Sequence, residues 1–413
     1  MKQSLRLFDV TCLGINAIVG SGIFLLPDDL YRHMGPLSPF AFLLCAVGLL
    51  PIALCYAEAA SRTESTGGPY VYAREAFGPW VGFGVGWMCI ANAVFSFAAV
   101  AAASAAYVGK LFPVASGAAE PAIAALVIAA FAALNYRGVK PGAIAINLFT
   151  IGKIGALLML LLVLVPQISP NRFAGGLPEG PSGIGAAVFL ALFAAQGFEV
   201  VPVPASETQQ AKRIMPKAIL TSLLLASLLY CLVQAVMVGA SDSLGQVSDT
   251  PLVDAALRVA PVLGVAVLVG GLVSTFGYVA GSALGTPRYV YAAAVDRFLP
   301  RHLASIHAEF HSPHRAVAVT ALVAIVLALA FDYRSLVGMA NVSVAVQYLI
   351  TCWAVLRFRR SGEGTSFRAP GGWFTPLCGM AVSLWVFTEA SGAELLFAAG
   401  AMGVGIVVSR VSR

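Results

Sequence analysis

Apolar runs of about twenty residues follow one another along almost the whole chain. They fall at 8–31, 38–61, 80–108, 121–136, 141–166, 183–205, 217–240, 259–293, 314–331, 335–357, 373–389 and 393–409. Most are long enough, at ~1.5 Å per residue, to cross a hydrocarbon core of roughly 30 Å. Lipid offers backbone N–H and C=O groups no partner, so a spanning segment must satisfy them within itself or in a closed barrel. Runs this long and this continuously apolar predict the first solution. The expected fold is an all-α polytopic membrane protein with twelve transmembrane helices. Only 11% of the residues are charged and 59% are hydrophobic, where ordinary globular chains carry about a quarter charged residues. A soluble domain is excluded.

The first run is interrupted at its middle by Gly20-Ser21-Gly22-Ile23-Phe24. Glycine costs a helix about 1 kcal/mol relative to alanine, so the helix is expected to open there. Backbone groups freed at that depth are tolerable only against protein or a water-filled cavity, and a break at the midplane therefore implies a cavity. A second half-helix starting near Gly22 would aim its first amides and its positive dipole end into that cavity, which suits a carboxylate. Taken alone, Gly20 and Gly22 would serve equally to let another helix pack closely.

The sixth run repeats the anomaly. Its centre reads Phe193-Ala194-Ala195-Gln196-Gly197-Phe198-Glu199, with Pro202 and Pro204 beyond. Close packing alone does not explain breaks in the leading helix of each of two sets of five. The pattern predicts a 5+5 inverted repeat with the site between the breaks. Residues 1–166 would form the first repeat, 183–358 the second, and 373–409 two additional helices; the Pro- and Gly-rich stretch 167–182 separates the repeats. Glu199 stands where the second half of the sixth helix is expected to begin, so its carboxylate can accept free amides there; that role is favoured over proton binding. The Gln196 amide serves either the loosened backbone or the side chain of a ligand.

The formal charge of +6 forms no nucleic-acid stripe or motif. It follows topology instead. One set of alternate loops holds Lys2 and Arg6, Arg62 and Arg74, Arg137 and Lys140, Lys212, Arg213 and Lys217, and the basic residues from Arg288 to Arg315, Arg357 to Arg368 and Arg410 to Arg413. The other set holds only Arg32, Lys110, Arg172, Arg258 and Arg334. This bias predicts that both termini are cytoplasmic. Lys2 and Arg6 ahead of an apolar run resemble a signal peptide, but the run is too long and lacks a small-residue cleavage site; the first helix is expected to stay attached. Lys153 is the one basic residue committed to the membrane interior. Burying it costs at least ~2.5 to 3.5 kcal/mol on insertion scales, which makes it a functional candidate.

Other features read as structural. The seven cysteines fall inside apolar runs, in odd number, and suit neither a disulfide framework nor a metal site. His302, His307, His311 and His314 fit no metal-ligand spacing and read as a solvated basic loop. Gly82, Gly84 and Gly86 have no preceding strand, so they read as helix packing and not as a dinucleotide fingerprint. Gly277, Gly281 and Gly285 recur every fourth residue and predict a flat face for another helix. Between the second and third runs, the polar stretch 61–80 is expected to form a short interfacial helix after the turn Gly67-Gly68-Pro69.

These pieces together resemble the amino acid/polyamine/organocation transporters, with the leucine-transporter-like fold. Gly20-Ser21-Gly22-Ile23-Phe24 is similar to their first-helix break and Phe193 to Glu199 to their sixth. Gly67-Gly68-Pro69-Tyr70-Val71-Tyr72 with Arg74-Glu75-Ala76-Phe77-Gly78 resembles the segment after their second helix, and Arg288 to Pro300 a tract after the eighth. The resemblance runs from the first helix to the loop after the eighth. It implies an amino acid substrate with its carboxylate on the amides of Ser21, Gly22 and Ile23. The amino group would meet carbonyls near Ile18, Phe193, Ala194 and Gln196, beside Gly197, with Phe193 as an occluding gate. It also implies that Lys153 takes the place of a sodium ion beside the first helix. Two departures are the polar Gln196, where many relatives are apolar, and the Pro202/Pro204 pair.

The reading is a secondary active transporter of amino acids in the bacterial inner (plasma) membrane, working by alternating access without sodium, as a proton symporter or an exchanger. It needs no cofactor and no metal, does no covalent chemistry, and has the lipid bilayer, the amino acid and a proton or counter-substrate as partners. The alternatives are a same-fold transporter of a polyamine or other organic solute, or a sodium-coupled one. A receptor or scaffold would leave the broken helices and the buried lysine unexplained. A membrane enzyme would require paired acids, metal ligands or a nucleophile and base at depth, and none recur.

Overall fold

The computed structural model describes residues 5–411 apart from 66, 113–115, 138–142, 243, 247, 249 and 363, and the side chains of 143–146. Lys2, Lys140 and Arg413 of the charge pattern, and most of the connection between the fourth and fifth runs, lie outside those residues. Among the described residues the fold is helical throughout, and the one β-bridge, Leu5 with Thr208, is isolated.

The helices are α1 (Leu7–Ile18), α2 (Gly22–Leu25), α3 (Pro27–Met34), α4 (Pro39–Ala60), α5 (Pro69–Phe77), α6 (Pro79–Leu111), α7 (Glu120–Tyr136), α8 (Ala143–Leu164), α9 (Pro181–Ala195), α10 (Ala211–Ala240), α11 (Pro251–Val259), α12 (Pro261–Val295), α13 (His314–Ala330), α14 (Tyr333–Ser361), α15 (Phe374–Glu389) and α16 (Gly392–Val411). Nine helical segments among the described residues are long and apolar enough to cross a membrane. Three shorter apolar helices, α1, α13 and α15, fall where the first, ninth and eleventh runs were expected. Proline sets the start of many helices, including α3, α4, α5, α6, α9 and α12. Its missing N–H would have no partner in the first turn anyway, and its φ suits a helix.

The packing separates two kinds of surface. α4 packs on α10, α6 on α12 and α14, α8 on α12, and α1 on both α8 and α10. These contacts bury two large apolar clusters, one around α1, α4 and α10 and one around α6, α12 and α13. The outward faces are as apolar as the core: Leu162 is 77% exposed and Leu396 74% exposed. Exposed leucines at this density suit hydrocarbon as the surrounding solvent.

Three expectations are refined. The interfacial stretch does form a helix, α5, but it is half-buried against α6 and α14. A Cβ on Gly82 would lie 2.7 Å from that of Arg74, and one on Gly86 would lie 2.9 Å from the Tyr70 ring, so both glycines admit α5. The glycine face of α12 is split: Gly277 meets Phe149 of α8, whereas Gly281 and Gly285 have open space before them. The histidine loop is partly packed, with His307 stacked on Phe310 and set edge-on to Tyr136 and His314.

Candidate functional site

The first interruption is real and local. α1 ends at Ile18, the Gly20 N–H turns back onto the Ile18 carbonyl at 2.8 Å, and α2 restarts with the Phe24 and Leu25 N–H groups on the Ser21 carbonyl at 2.9 and 3.1 Å. The carbonyls of Ile18, Val19 and Gly20 therefore lose the N–H four residues on. Side chains from three other helices replace it. The Tyr230 hydroxyl of α10 donates to Ile18 O (2.9 Å), the Lys153 ammonium of α8 to Val19 O (2.6 Å), and the Ser274 hydroxyl of α12 to Gly20 O (2.9 Å). Lys153 is fully buried and also reaches Asn16 O at 3.4 Å. On the other side of the gap, the N–H groups of Ser21, Gly22 and Ile23 find no backbone acceptor among the described residues. The break thus offers free donors at one end and braced acceptors at the other.

The second interruption is built differently. α9 ends at Ala195, and Gly197 adopts a φ of +126°. A Cβ there would lie 2.6 to 2.7 Å from the backbone of Ala17 and Ile18, so the two breaks meet at this glycine. They meet again at Gly22, where a Cβ would lie 2.5 Å from that of Ala194. Glu199 turns its carboxylate back, and Oε2 accepts the Gly197 N–H (2.8 Å) and the Tyr348 hydroxyl (3.0 Å). No α-helix resumes before α10: Phe198–Val200 and Ala205–Glu207 are 3-10 turns. The expected second half of the sixth helix is absent because Pro202 and Pro204 lack the N–H groups that would bond Phe198 and Val200.

A cavity of about 720 Å³ opens from this meeting point. Ile18, Ser21, Gly22, Phe193, Gln196, Gly197 and Glu199 line it, as do Asn16, Gly20, Asn92 and Ser96, and Tyr278, Gly281, Ser282 and Gly285 of α12. It extends to Ser65, Arg74 and Asp296, which are exposed. The bare glycine face of α12 is thus a cavity wall. Ile23 and Ala194 stand outside the lining: Ile23 is buried and Ala194 fills the space against Gly22. Lys153 also stands outside it, behind the first break. At the exposed end the Tyr70 hydroxyl donates to Asp296 at 2.5 Å; burial first, then this carboxylate, raises the tyrosine above its usual range.

The opposite side is closed. The Phe193 ring stands edge-on to Tyr333, whose hydroxyl lies 3.3 Å from Ser21 Oγ. Next to it, Arg334 grips the buried Asp29 with two hydrogen bonds of 2.9 and 2.8 Å. Asp28, also buried, accepts the Gly245 and Ser248 N–H groups at 3.1 and 2.9 Å.

Reading the sequence missed Asn16, Tyr230, Ser274, Tyr333 and Tyr348. Tyr230, Ser274, Tyr333 and Tyr348 stand in no local motif of their own; Asn16, polar and four residues ahead of Gly20, carried a signal in its position.

Compared with known proteins, residues 5–405 match the amino acid permease family. The chain belongs to that family. It is 27% identical to the branched-chain amino acid permease BcaP of Bacillus subtilis (strain 168), over 90% of this chain and 84% of the relative. It is 26% identical to the methylthioribose transporter of the same organism, over 99% of this chain and 93% of the relative. It is also 26% identical to that organism's serine/threonine exchanger SteT, over 99% and 94%. The chain is therefore a multi-pass membrane protein of the transporter class, and these relatives are named as transporters.

Proposed function

We propose that the protein is a secondary transporter of amino acids working by alternating access, sodium-independent, and either a proton symporter or an exchanger. The observation that carries this reading is the Lys153 ammonium, 2.6 Å from Val19 O at the first break and directly behind the cavity. When protonated, Lys153 supplies there the positive charge that a sodium ion would otherwise bring to those carbonyls. Burial opposes the ammonium and the carbonyls favour it, so a conformational change that alters either would bind or release a proton. The substrate carboxylate would lie on the free amides of Ser21, Gly22 and Ile23. Its amino group would face the carbonyls around Ile18, Phe193, Ala194 and Gln196, with Gly197 giving room and Phe193 closing over the ligand. Glu199, already holding Gly197 and Tyr348, acts as a brace.

The layout is read as twelve crossings in two inverted repeats, 1–166 and 183–358, followed by two further helices within 373–409. With both termini in the cytoplasm of the bacterial inner membrane, the cavity is open to the cytoplasm and the Asp29–Arg334 side is the closed outer gate. Uptake of a radiolabelled amino acid panel into proteoliposomes, with and without sodium and a pH gradient, tests the reading. Sodium-independent uptake of at least one amino acid is expected. A pH dye then separates symport from exchange. The relative named a methylthioribose transporter favours a second reading, another organic solute, which uptake of labelled methylthioribose in the same proteoliposomes tests if no amino acid is carried.

A further inference from the structure

The cavity contains polar atoms that the protein leaves unanswered. Gln196 is 7% exposed, lines the cavity, and neither Oε1 nor Nε2 has a hydrogen-bond partner among the described residues. Asn16 is 9% exposed, lines the same cavity, and its Oδ1 also has none. The two residues flank the place where the breaks touch, since Gly197 abuts the backbone of Ala17 and Ile18. Their own backbones are otherwise engaged: the Gln196 N–H bonds Leu192 O at 2.9 Å, and Asn16 O lies 3.4 Å from Lys153 Nζ. The Gln196 amide is therefore not repairing the backbone around the break. Buried polar groups are ordinarily hydrogen-bonded, and such an exception asks for a partner that arrives from outside.

We infer that, within the amino acid transport reading on which this rests, Gln196 and Asn16 select a neutral substrate whose side chain carries a hydroxyl or a carboxamide. Two carbonyl oxygens and one amide NH2 group must be met together. A hydroxyl or a carboxamide is both donor and acceptor and can answer both kinds. An aliphatic side chain answers none and leaves all three atoms unpaired. A carboxylate only accepts, and would face two carbonyl oxygens. An ammonium only donates, and would leave the Gln196 NH2 group without an acceptor. Sites built to bond a substrate's polar group reject the analogue that lacks it far more strongly than apolar pockets discriminate by size.

The test compares isosteric pairs by thermal shift of the purified protein and by competition for uptake in proteoliposomes: threonine against valine, serine against alanine, and glutamine against methionine. The polar member of at least one pair should bind about ten- to a hundredfold tighter, the cost of leaving a buried donor or acceptor unpaired. In Gln196→Met, which conserves volume, the ratio for that pair should fall to within about threefold. Equal binding within every pair by the wild type would overturn the inference and leave amino acid transport standing. So would a preference for lysine, arginine, aspartate or glutamate. If no amino acid binds, the transport reading fails and the inference with it. The wild-type comparison decides the matter even if the variant does not fold.

Discussion

The two interruptions share a symptom in the sequence and differ in how they are held. The first depends on other helices: Lys153, Tyr230 and Ser274, from α8, α10 and α12, each take one of its carbonyls. The second is nearly self-sufficient, because Glu199, two residues on, takes the Gly197 N–H and needs only Tyr348 from outside. The first resumes as helix and leaves amides free, whereas the second ends in 3-10 turns under Pro202 and Pro204. A break braced from three directions can respond to the movement of each of those helices. One closed by its own carboxylate travels as a unit. The physical distinction is which groups were orphaned: carbonyls can be reached by long donors from afar, while an amide is most cheaply met by a nearby carboxylate.

The contrast can be broken where the two regions meet. Gly197→Ala forces a side chain into a positive φ and against the Ala17 and Ile18 backbone. The strain alone costs about 1–3 kcal/mol and the overpacking about as much again. The largest loss of thermal stability, measured on detergent-purified protein, is expected here. Gly22→Val comes next. Its branched side chain meets Ala194 and crowds the free amides, so substrate binding should be lost while the protein still inserts. Unchanged affinity in a folded variant would remove the first break from the site.

Lys153→Ala tests the externally braced character directly. It removes the close donor of Val19 O and leaves that carbonyl only the longer bond from the Ser274 hydroxyl at 3.3 Å, a cost of about 1 kcal/mol or more, and transport should fall about tenfold or more, a greater loss than that in expression. Sodium-stimulated uptake by the wild type would contradict the role given to the lysine. Glu199→Gln should do least: the amide oxygen can still accept the Gly197 N–H, and the weaker neutral acceptor loses about 1 kcal/mol. The pH profile of transport should keep its shape. A large shift in that profile with folding intact would make Glu199 a proton carrier and erase the distinction between the two breaks.

The helical fold was legible because it follows from quantities the chain states locally. Run length against bilayer thickness predicts a helix, and glycine in the middle of a run predicts its interruption. Both interruptions and the buried lysine were found this way. Prolines were read less completely: Pro202 and Pro204 marked a disturbance, and with their N–H groups missing two residues apart they end the helix outright. The spacing of Gly277, Gly281 and Gly285 could not say which glycine faces a helix and which faces empty space. That depends on where α8 lies.

What the sequence determined by itself is therefore everything carried by short-range backbone chemistry: the solvent the chain requires, the places where its helices open, and the cost of a charge at depth. What only the tertiary structure decided is who answers the opened groups. Tyr230 lies far along the chain from Ile18, Ser274 from Gly20 and Tyr348 from Glu199, and no periodicity connects them. The unanswered amide of Gln196 is likewise visible only once every neighbour is in position. A hydrogen bond across the bundle is fixed by packing, because a donor's reach of about 3 Å is far shorter than the uncertainty with which sequence spacing alone can put two helices side by side.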